Sequence, residues 1–212
     1  MRVKICGITQ VEQGRAIASL GATALGFICT SKSPRYVTAT QIKEIVKTIP
    51  ATVDKIGVFV NASKSEIIEV VGVAGLSGVQ LHGDESREFC QQLKSDLPDL
   101  EIIKAIPVKS PESLSLVSVY SDCVDTLLLD AYHPKMRGGT GLAIDWDILE
   151  EFQSPLPWFL AGGLTPENIE LAINRTNPAG IDLSSGVESA PGRKDLNKVA
   201  DLFKKVKEYL VE

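Results

Sequence analysis

Residues 41–60 read QIKEIVKTIPATVDKIGVFV, and this stretch sets out the pattern that decides the fold. Ile42, Ile45, Val46 and Ile49 fall at the i, i+3, i+4, i+7 spacing of an amphipathic helix. After Pro50, KIGVFV (55–60) is a short apolar run rich in β-branched residues, the composition of a strand buried on both faces of a parallel sheet. Helix then strand is the repeating unit. Outward from it, further strand-like runs appear at RVKIC (2–6), ALGFI (24–28), SGVQL (77–81), EIIKAI (101–106), VDTLLLD (124–130), WFLAG (158–162) and GIDLS (180–184). Helical spacing recurs at 10–20, at 64–73 with Ile67, Ile68 and Val71, and at 195–210 with Leu196, Val199, Phe203, Val206 and Leu210. Thr9, Thr40, Ser63, Ser110 and Thr165-Pro166-Glu167 are expected to open helices, by cap oxygens or a first-turn proline.

Eight strand–helix units in 212 residues give about 26 residues each. That count predicts an α/β fold, a closed (β/α)8 TIM barrel forming one domain over 1–212, rather than a doubly wound open sheet. The glycine fingerprint GxGxxG that the open sheet would carry after its first strand is missing. The sixth helix is the weakest element, because 131–141 is glycine-rich and Pro155 and Pro157 follow soon after.

Composition narrows the function classes. The net charge of −5, from 22 Lys+Arg against 27 Asp+Glu, argues against nucleic acid or an anionic membrane as partner. No apolar run reaches the length of a membrane span, and MRVKICGIT enters patterned sequence at once, which argues against a cleaved secretion signal. Cys6, Cys29, Cys90 and Cys123 are scattered, and His82 and His133 are the two histidines, poor material for a metal cage or a disulfide framework. Reduced thiols in a cytoplasm, with no metal cage, are expected. No long exposed apolar stripe is evident, so a monomer is expected as well.

Active sites of such barrels form where strands end. Those positions here hold Cys6, the 29–35 segment, Asn61, His82, Pro107, Asp130, Gly162-Gly163 and Ser184-Ser185-Gly186. Gly162 and Gly163 precede a helix, and Ser184, Ser185 and Gly186 precede what could be a short extra helix. Backbone amides there suit a phosphate, although each turn alone could be an ordinary tight corner. Cys6 could be a small buried hydrophobe or a reactive thiol. Alternation puts Lys4 on the same face, where its ammonium would stabilise a thiolate or pair with an acid such as Asp182. Asp130 could cap a helix; beneath a closing loop its pKa could instead rise, making it a general acid. Arg35, in KSPR, suits a substrate carboxylate; His82 is expected to be a hydrogen-bonded polar residue at the site, and His133 to lie on the surface of a lid spanning 131–141, hinged by Gly138-Gly139-Thr140-Gly141.

KICGIT, GF followed by KSPR, GVFVN, QLHG, LLLD with GGTG and DW downstream, LAGGL, and DLSSGVE with PGRKD occur in that order. Together, from Val3 to about Asp195, they resemble phosphoribosylanthranilate isomerase, a tryptophan-pathway enzyme. The resemblance implies a (β/α)8 barrel and a cofactor-free Amadori rearrangement of a small phosphorylated substrate. It places the general base on Cys6, acting at C2′ of the ribosyl group, and the general acid on Asp130, protonating the furanose oxygen. It places Arg35 near the anthranilate carboxylate, His82 in the site lining, Asp182 on a sugar hydroxyl, and the phosphate on Gly162, Gly163, Ser184, Ser185 and Gly186. Two departures stand out: Glu12-Gln13-Gly14 in the first helix, and Cys29-Thr30 where aromatic residues are frequent, which bears on packing at the anthranilate ring. A non-catalytic phosphosugar-binding barrel would keep the glycine loops without needing both Cys6 and Asp130; a lyase or synthase of a related phosphate-binding barrel would use Glu or Lys at other strand ends, whereas the glutamates here sit mostly in helices.

Overall fold

The computed structural model describes residues 1–131 and 145–210. The chain enters through β1 (Arg2–Cys6), α1 (Val11–Ser19), β2 (Ala24–Ile28), α2 (Ala39–Val46), β3 (Asp54–Phe59), α3 (Lys64–Ala74), β4 (Gly78–Leu81), α4 (Arg87–Asp96) and β5 (Glu101–Val108). It continues through α5 (Leu116–Tyr120), β6 (Thr126–Ala131), β7 (Trp158–Leu160), α6 (Ile169–Thr176), β8 (Gly180–Leu183), the small strands β9 (Glu188–Ala190) and β10 (Arg193–Lys194), and α7 (Leu196–Val206). Strands β1 to β8 pair in sequence order, all parallel, and β8 closes onto β1. Each of the eight expected strands overlaps one of these, and the closed barrel is the fold observed.

Outside the barrel wall, apolar residues of strands and helices merge into one layer, with Ile42 and Ile45 of α2, Ile67 of α3 and Leu93 of α4 all at 2% exposure or less. Each such side chain contributes roughly 1.5–3 kcal/mol on burial. Inside, every second residue faces the axis. At the N-terminal end Arg2 donates to Glu101 at 2.6 Å and Asp54 at 2.8 Å, and Thr126 donates to Glu101 at 2.6 Å. The Arg2 guanidinium also lies 4.9 Å from the Phe159 ring. Above this polar floor, Ile56, Ile103, Leu128 and Phe159 fill the interior.

Several expected helix starts are corrected. α2 is capped by Thr38 and not Thr40: Thr38 and Gln41 form a reciprocal capping box. Thr9 does not cap α1; its hydroxyl donates to the carbonyl of Gly192 at 2.6 Å, tying the first loop to the β9–β10 hairpin. Thr165 heads a turn before α6, accepting from the amide of Glu167, and the helix begins only at Ile169. Ser63 does cap α3, with Glu66 completing the box. Ser110 precedes a five-residue 3-10 helix, Pro111–Ser115, rather than an α-helix. Between β6 and β7 the described residues contain one 3-10 turn, Trp146–Leu149, in place of a sixth full helix. The glycine run 138–141, His133 and the lid expected over 131–141 lie, beyond Ala131, outside the described residues.

Candidate active site

The C-terminal end of the barrel opens into a cavity. Ten of the residues given site roles from sequence line it: Cys6, Arg35, His82, Asp130, Gly162, Gly163, Asp182, Ser184, Ser185 and Gly186; Asn61 and Pro107, also at strand ends, do not. Strand parity explains the convergence, because Lys4 and Cys6 on β1, Gln80 and then His82 beyond β4, Asp130 on β6 and Asp182 on β8 all occupy inward positions.

Cys6 is buried, at 6% exposure. Its thiol fits because Gly26 stands beside it on β2: a Cβ there would lie 2.6 Å from Cys6 Sγ. Lys4, fully buried below, donates from Nζ to Asp182 Oδ1 at 3.0 Å. Both roles open to Lys4 are met: its ammonium pairs with Asp182 and also acts on the Cys6 thiol. Burial opposes the Lys4 charge, but Asp182 and Cys6 hold the ammonium on, raising its pKa. Burial also pushes the Cys6 thiol up; Lys4 and Lys194 pull it down, and the Asp182 carboxylate pushes it further up. Burial outweighs the pull of the Lys4 ammonium, and Asp182 offsets part of that pull.

Asp130, at 7% exposure, faces the cavity from the end of β6, and Oδ2 lies 3.2 Å from His82 Nε2. His82 is thus a direct neighbour of Asp130, more than part of the lining. On its other side, His82 Nδ1 meets Gln80 Nε2 at 2.8 Å.

Arg35 is held rigidly. Its Nε and Nη2 donate to both carboxyl oxygens of Glu188 at 2.7–3.1 Å, and Glu188 also accepts from Lys194 Nζ at 2.8 Å. Lys194 reaches the carbonyl of Ser184 at 3.1 Å, and Ser184 Oγ donates to the carbonyl of Cys6 at 3.0 Å. This buried chain links the arginine to the β8 loop and to the backbone of Cys6. Burial works against the Glu188 charge, yet Arg35 and Lys194 hold its carboxyl below the usual carboxylate range. Gln13 fixes β10 by gripping both the amide and the carbonyl of Lys194.

The two glycine loops meet at the rim. Gly162 and Gly163 have φ of +85° and +62°, open to glycine without strain. A Cβ on Gly186 would lie 1.9 Å from the carbonyl oxygen of Leu164, so this close contact between the β7 and β8 loops admits no side chain. The short extra helix expected after Ser184-Ser185-Gly186 is one 3-10 turn, Ser185–Val187, leading into the β9–β10 hairpin. Thr30 lines the cavity while Cys29 does not: its thiol bonds the carbonyl of Phe27 at 3.5 Å and is pushed up by burial to about 12.

Gln80, Glu188 and Lys194 were missed from sequence. Parity in VQLH places Gln80 on the face of His82, and Glu188 sits within the SSGVE motif, so both had a signal; Lys194 had none. Among the described residues no cluster of three or more His, Cys, Asp or Glu could hold a metal ion, and no helix is long and apolar enough to cross a membrane.

A sequence profile for N-(5'phosphoribosyl)anthranilate (PRA) isomerase matches residues 3–205. The N-(5'-phosphoribosyl)anthranilate isomerase of Gloeothece citriformis is 65% identical over 97% of this chain and 94% of its own length. That of Nostoc punctiforme is 60% identical over 97% and 98%. Phosphoribosyl anthranilate isomerase from Thermotoga maritima superposes with a TM-score of 0.90 at 34% identity, covering 98% of this chain and 99% of that one. Another such isomerase, solved in complex with reduced 1-(o-carboxyphenylamino)-1-deoxyribulose 5-phosphate, superposes with a TM-score of 0.85 at 33% identity, covering 98% and 99%.

Proposed function

The chain belongs to the N-(5'-phosphoribosyl)anthranilate isomerase family of tryptophan biosynthesis, and from that membership we propose that Asp130 is the general acid and Cys6 the general base of the isomerisation. The observation that carries the reading is that these two groups, from strands β1 and β6, line one cavity together with Arg35 and both glycine loops. An aldose-to-ketose shift needs one acid and one base acting on adjacent centres. Asp130 gives its proton to the furanose oxygen; the C1′–oxygen bond breaks and the nitrogen lone pair forms a Schiff base. Cys6, as thiolate, takes the C2′ proton; the C2′–H electrons form an enaminol, which tautomerises to the ketose.

Arg35 is the partner for the anthranilate carboxylate. Its Nε and Nη2 are committed to Glu188, and Nη1, which has no partner among the described residues, supplies the remaining donors. The backbone at Gly162, Gly163, Ser184, Ser185 and Gly186 takes the phosphate, and Asp182 accepts from a sugar hydroxyl. A net charge of −5 offers no general attraction to an anionic ligand, so these local donors must hold it.

We read the protein as a cytoplasmic monomer. All four cysteines are free, and the large exposed apolar side chains are divided among several elements, with Ile68 and Val73 on α3, Leu116 and Val119 on α5, Leu171 on α6 and Leu196 on α7. Light scattering checks the monomer. The function is tested by following loss of phosphoribosylanthranilate fluorescence with wild type, Cys6→Ala and Asp130→Asn. Both variants are expected to lose roughly 10²–10⁴-fold in turnover. Unchanged turnover in either one sinks that assignment.

A further inference from the structure

Gln80 is a buried polar side chain in the wall of the cavity, beside His82. It is 1% exposed and points inward on β4, paired in register with Val58 on β3 and Ile103 on β5. Its carboxamide oxygen, Oε1, is buried without a hydrogen-bond partner among the described residues. A carboxamide in such a place is a cost that a leucine of similar size would avoid. Its one side-chain hydrogen bond among the described residues accounts for its presence: Nε2 stands 2.8 Å from His82 Nδ1.

An amide nitrogen carries only donors, so His82 Nδ1 must accept. The ring proton of neutral His82 then sits on Nε2, and it points at Asp130 Oδ2, 3.2 Å away. We propose that Gln80 is a positioning residue for the isomerisation: by selecting the Nε2–H tautomer of His82, it reserves Oδ2 of Asp130 as an acceptor and directs the acidic proton to Oδ1.

The chemistry follows from the two states of a carboxyl group. As a carboxylate, Asp130 accepts from His82 Nε2–H at Oδ2. As a carboxylic acid protonated on Oδ1, it still accepts at Oδ2, now through its carbonyl oxygen. The His82 contact is kept in both states, and the proton sits on the oxygen that has no partner among the described residues. The opposite tautomer would present a bare Nε2 to Oδ2. It would take the acid's proton in an O–H···N bond, away from the substrate. Turning the Gln80 carboxamide over would impose that tautomer, because Oε1 would then demand a proton on Nδ1. The orientation of one buried amide thus decides which oxygen of Asp130 acts as the acid. This inference rests on the reading of Asp130 as general acid.

Two histidines make the test direct, since the tautomer of His82 can be read by long-range proton–nitrogen NMR on protein labelled with 15N-histidine, with His133→Gln assigning the second ring. Wild type is expected to show a protonated Nε2 and a bare Nδ1 at His82; a protonated Nδ1 with bare Nε2 overturns the proposal without any Gln80 variant. Gln80→Glu replaces the donor by an acceptor and is expected to move the proton to Nδ1. Gln80→Met removes the donor and is expected to give a mixture. Both should lower kcat at least tenfold while changing KM less than threefold, and shift the pH profile of kcat. An unaltered His82 tautomer or an unaltered kcat in a folded Gln80 variant, alongside an inactive Asp130→Asn, overturns this inference alone. A fully active Asp130→Asn overturns the acid assignment and this inference with it.

Discussion

Glu188 grips Arg35 through two of its nitrogens, Nε at 2.9 Å and Nη2 at 2.7 Å, with the carboxylate side chain 4% exposed. A long, flexible side chain at the cavity rim is thereby fixed before any ligand arrives, which lowers the entropy cost of binding a carboxylate.

Replacing Glu188 with Gln leaves Arg35 and Lys194 as two buried cations without a counter-charge. Breaking a buried pair in this way costs about 3–5 kcal/mol of stability. Denaturant titration is expected to show that loss, and steady-state kinetics to show a raised KM. A variant as stable as wild type would mean that the network contributes nothing to the folded state.

The Cys6 thiol, pushed above its ordinary value of about 8.5 by burial, is largely protonated at neutral pH. Alkylation of Cys6 by iodoacetamide needs the thiolate but not the Asp130 proton, so its rate, followed by mass spectrometry, is expected to rise roughly tenfold between pH 7 and 8. A flat alkylation rate over that range would contradict a thiol pushed up by burial.

Gly26→Ala would place a methyl 2.6 Å from Cys6 Sγ and 3.0 Å from its Cα. The backbone contact leaves no easy escape, so β1 must shift. We expect a loss of about 1–3 kcal/mol in stability. Turnover should fall about 10²-fold, as for other displacements of catalytic groups by about 1 Å. Full activity in Gly26→Ala would show that Cys6 needs no fixed position.

Glu85 accepts from the amides of Asn61 and Gly83 and from Lys104 Nζ at 2.8 Å, joining the loops after β3 and β4 to β5. Burial opposes its charge, yet Lys104 and these amides hold its carboxyl below the unfolded value of about 4.3. A folded value below the unfolded one means stability that is present above about pH 4.3 and lost as pH falls through the folded value. Glu85→Gln should therefore be less stable than wild type at pH 7 and less sensitive to acid between about pH 5 and 3. Equal acid sensitivity in the two proteins would assign acid unfolding to other carboxyls.

The barrel was legible because its signal is repeated: eight short apolar runs at regular spacing constrain one another, so errors at single helix ends do no harm. The rim was legible because strand ends fix where chemistry can occur. What stayed hidden is contact between residues distant in sequence. Nothing local in RKD says that Lys194 meets a carboxylate six residues back while Gln13 holds its backbone from the far end of the chain. Thr38 was different: the T-x-x-Q box with Gln41 is a local signal, and only its register was misread. The raised Cys6 thiol could not be foreseen, because it is the sum of burial and three charges on two strands and a hairpin.

The filling of Ile56, Ile103, Leu128 and Phe159 separates the Arg2 ion pairs at one end from Cys6 and Asp130 at the other. The buried Lys4–Asp182 pair belongs to the Cys6 side of that filling, so the two polar regions differ in their surroundings along the barrel axis. Cys6 and Asp130 both line the cavity at the mouth, so a ligand seated there stands between solvent and the two groups that exchange its protons.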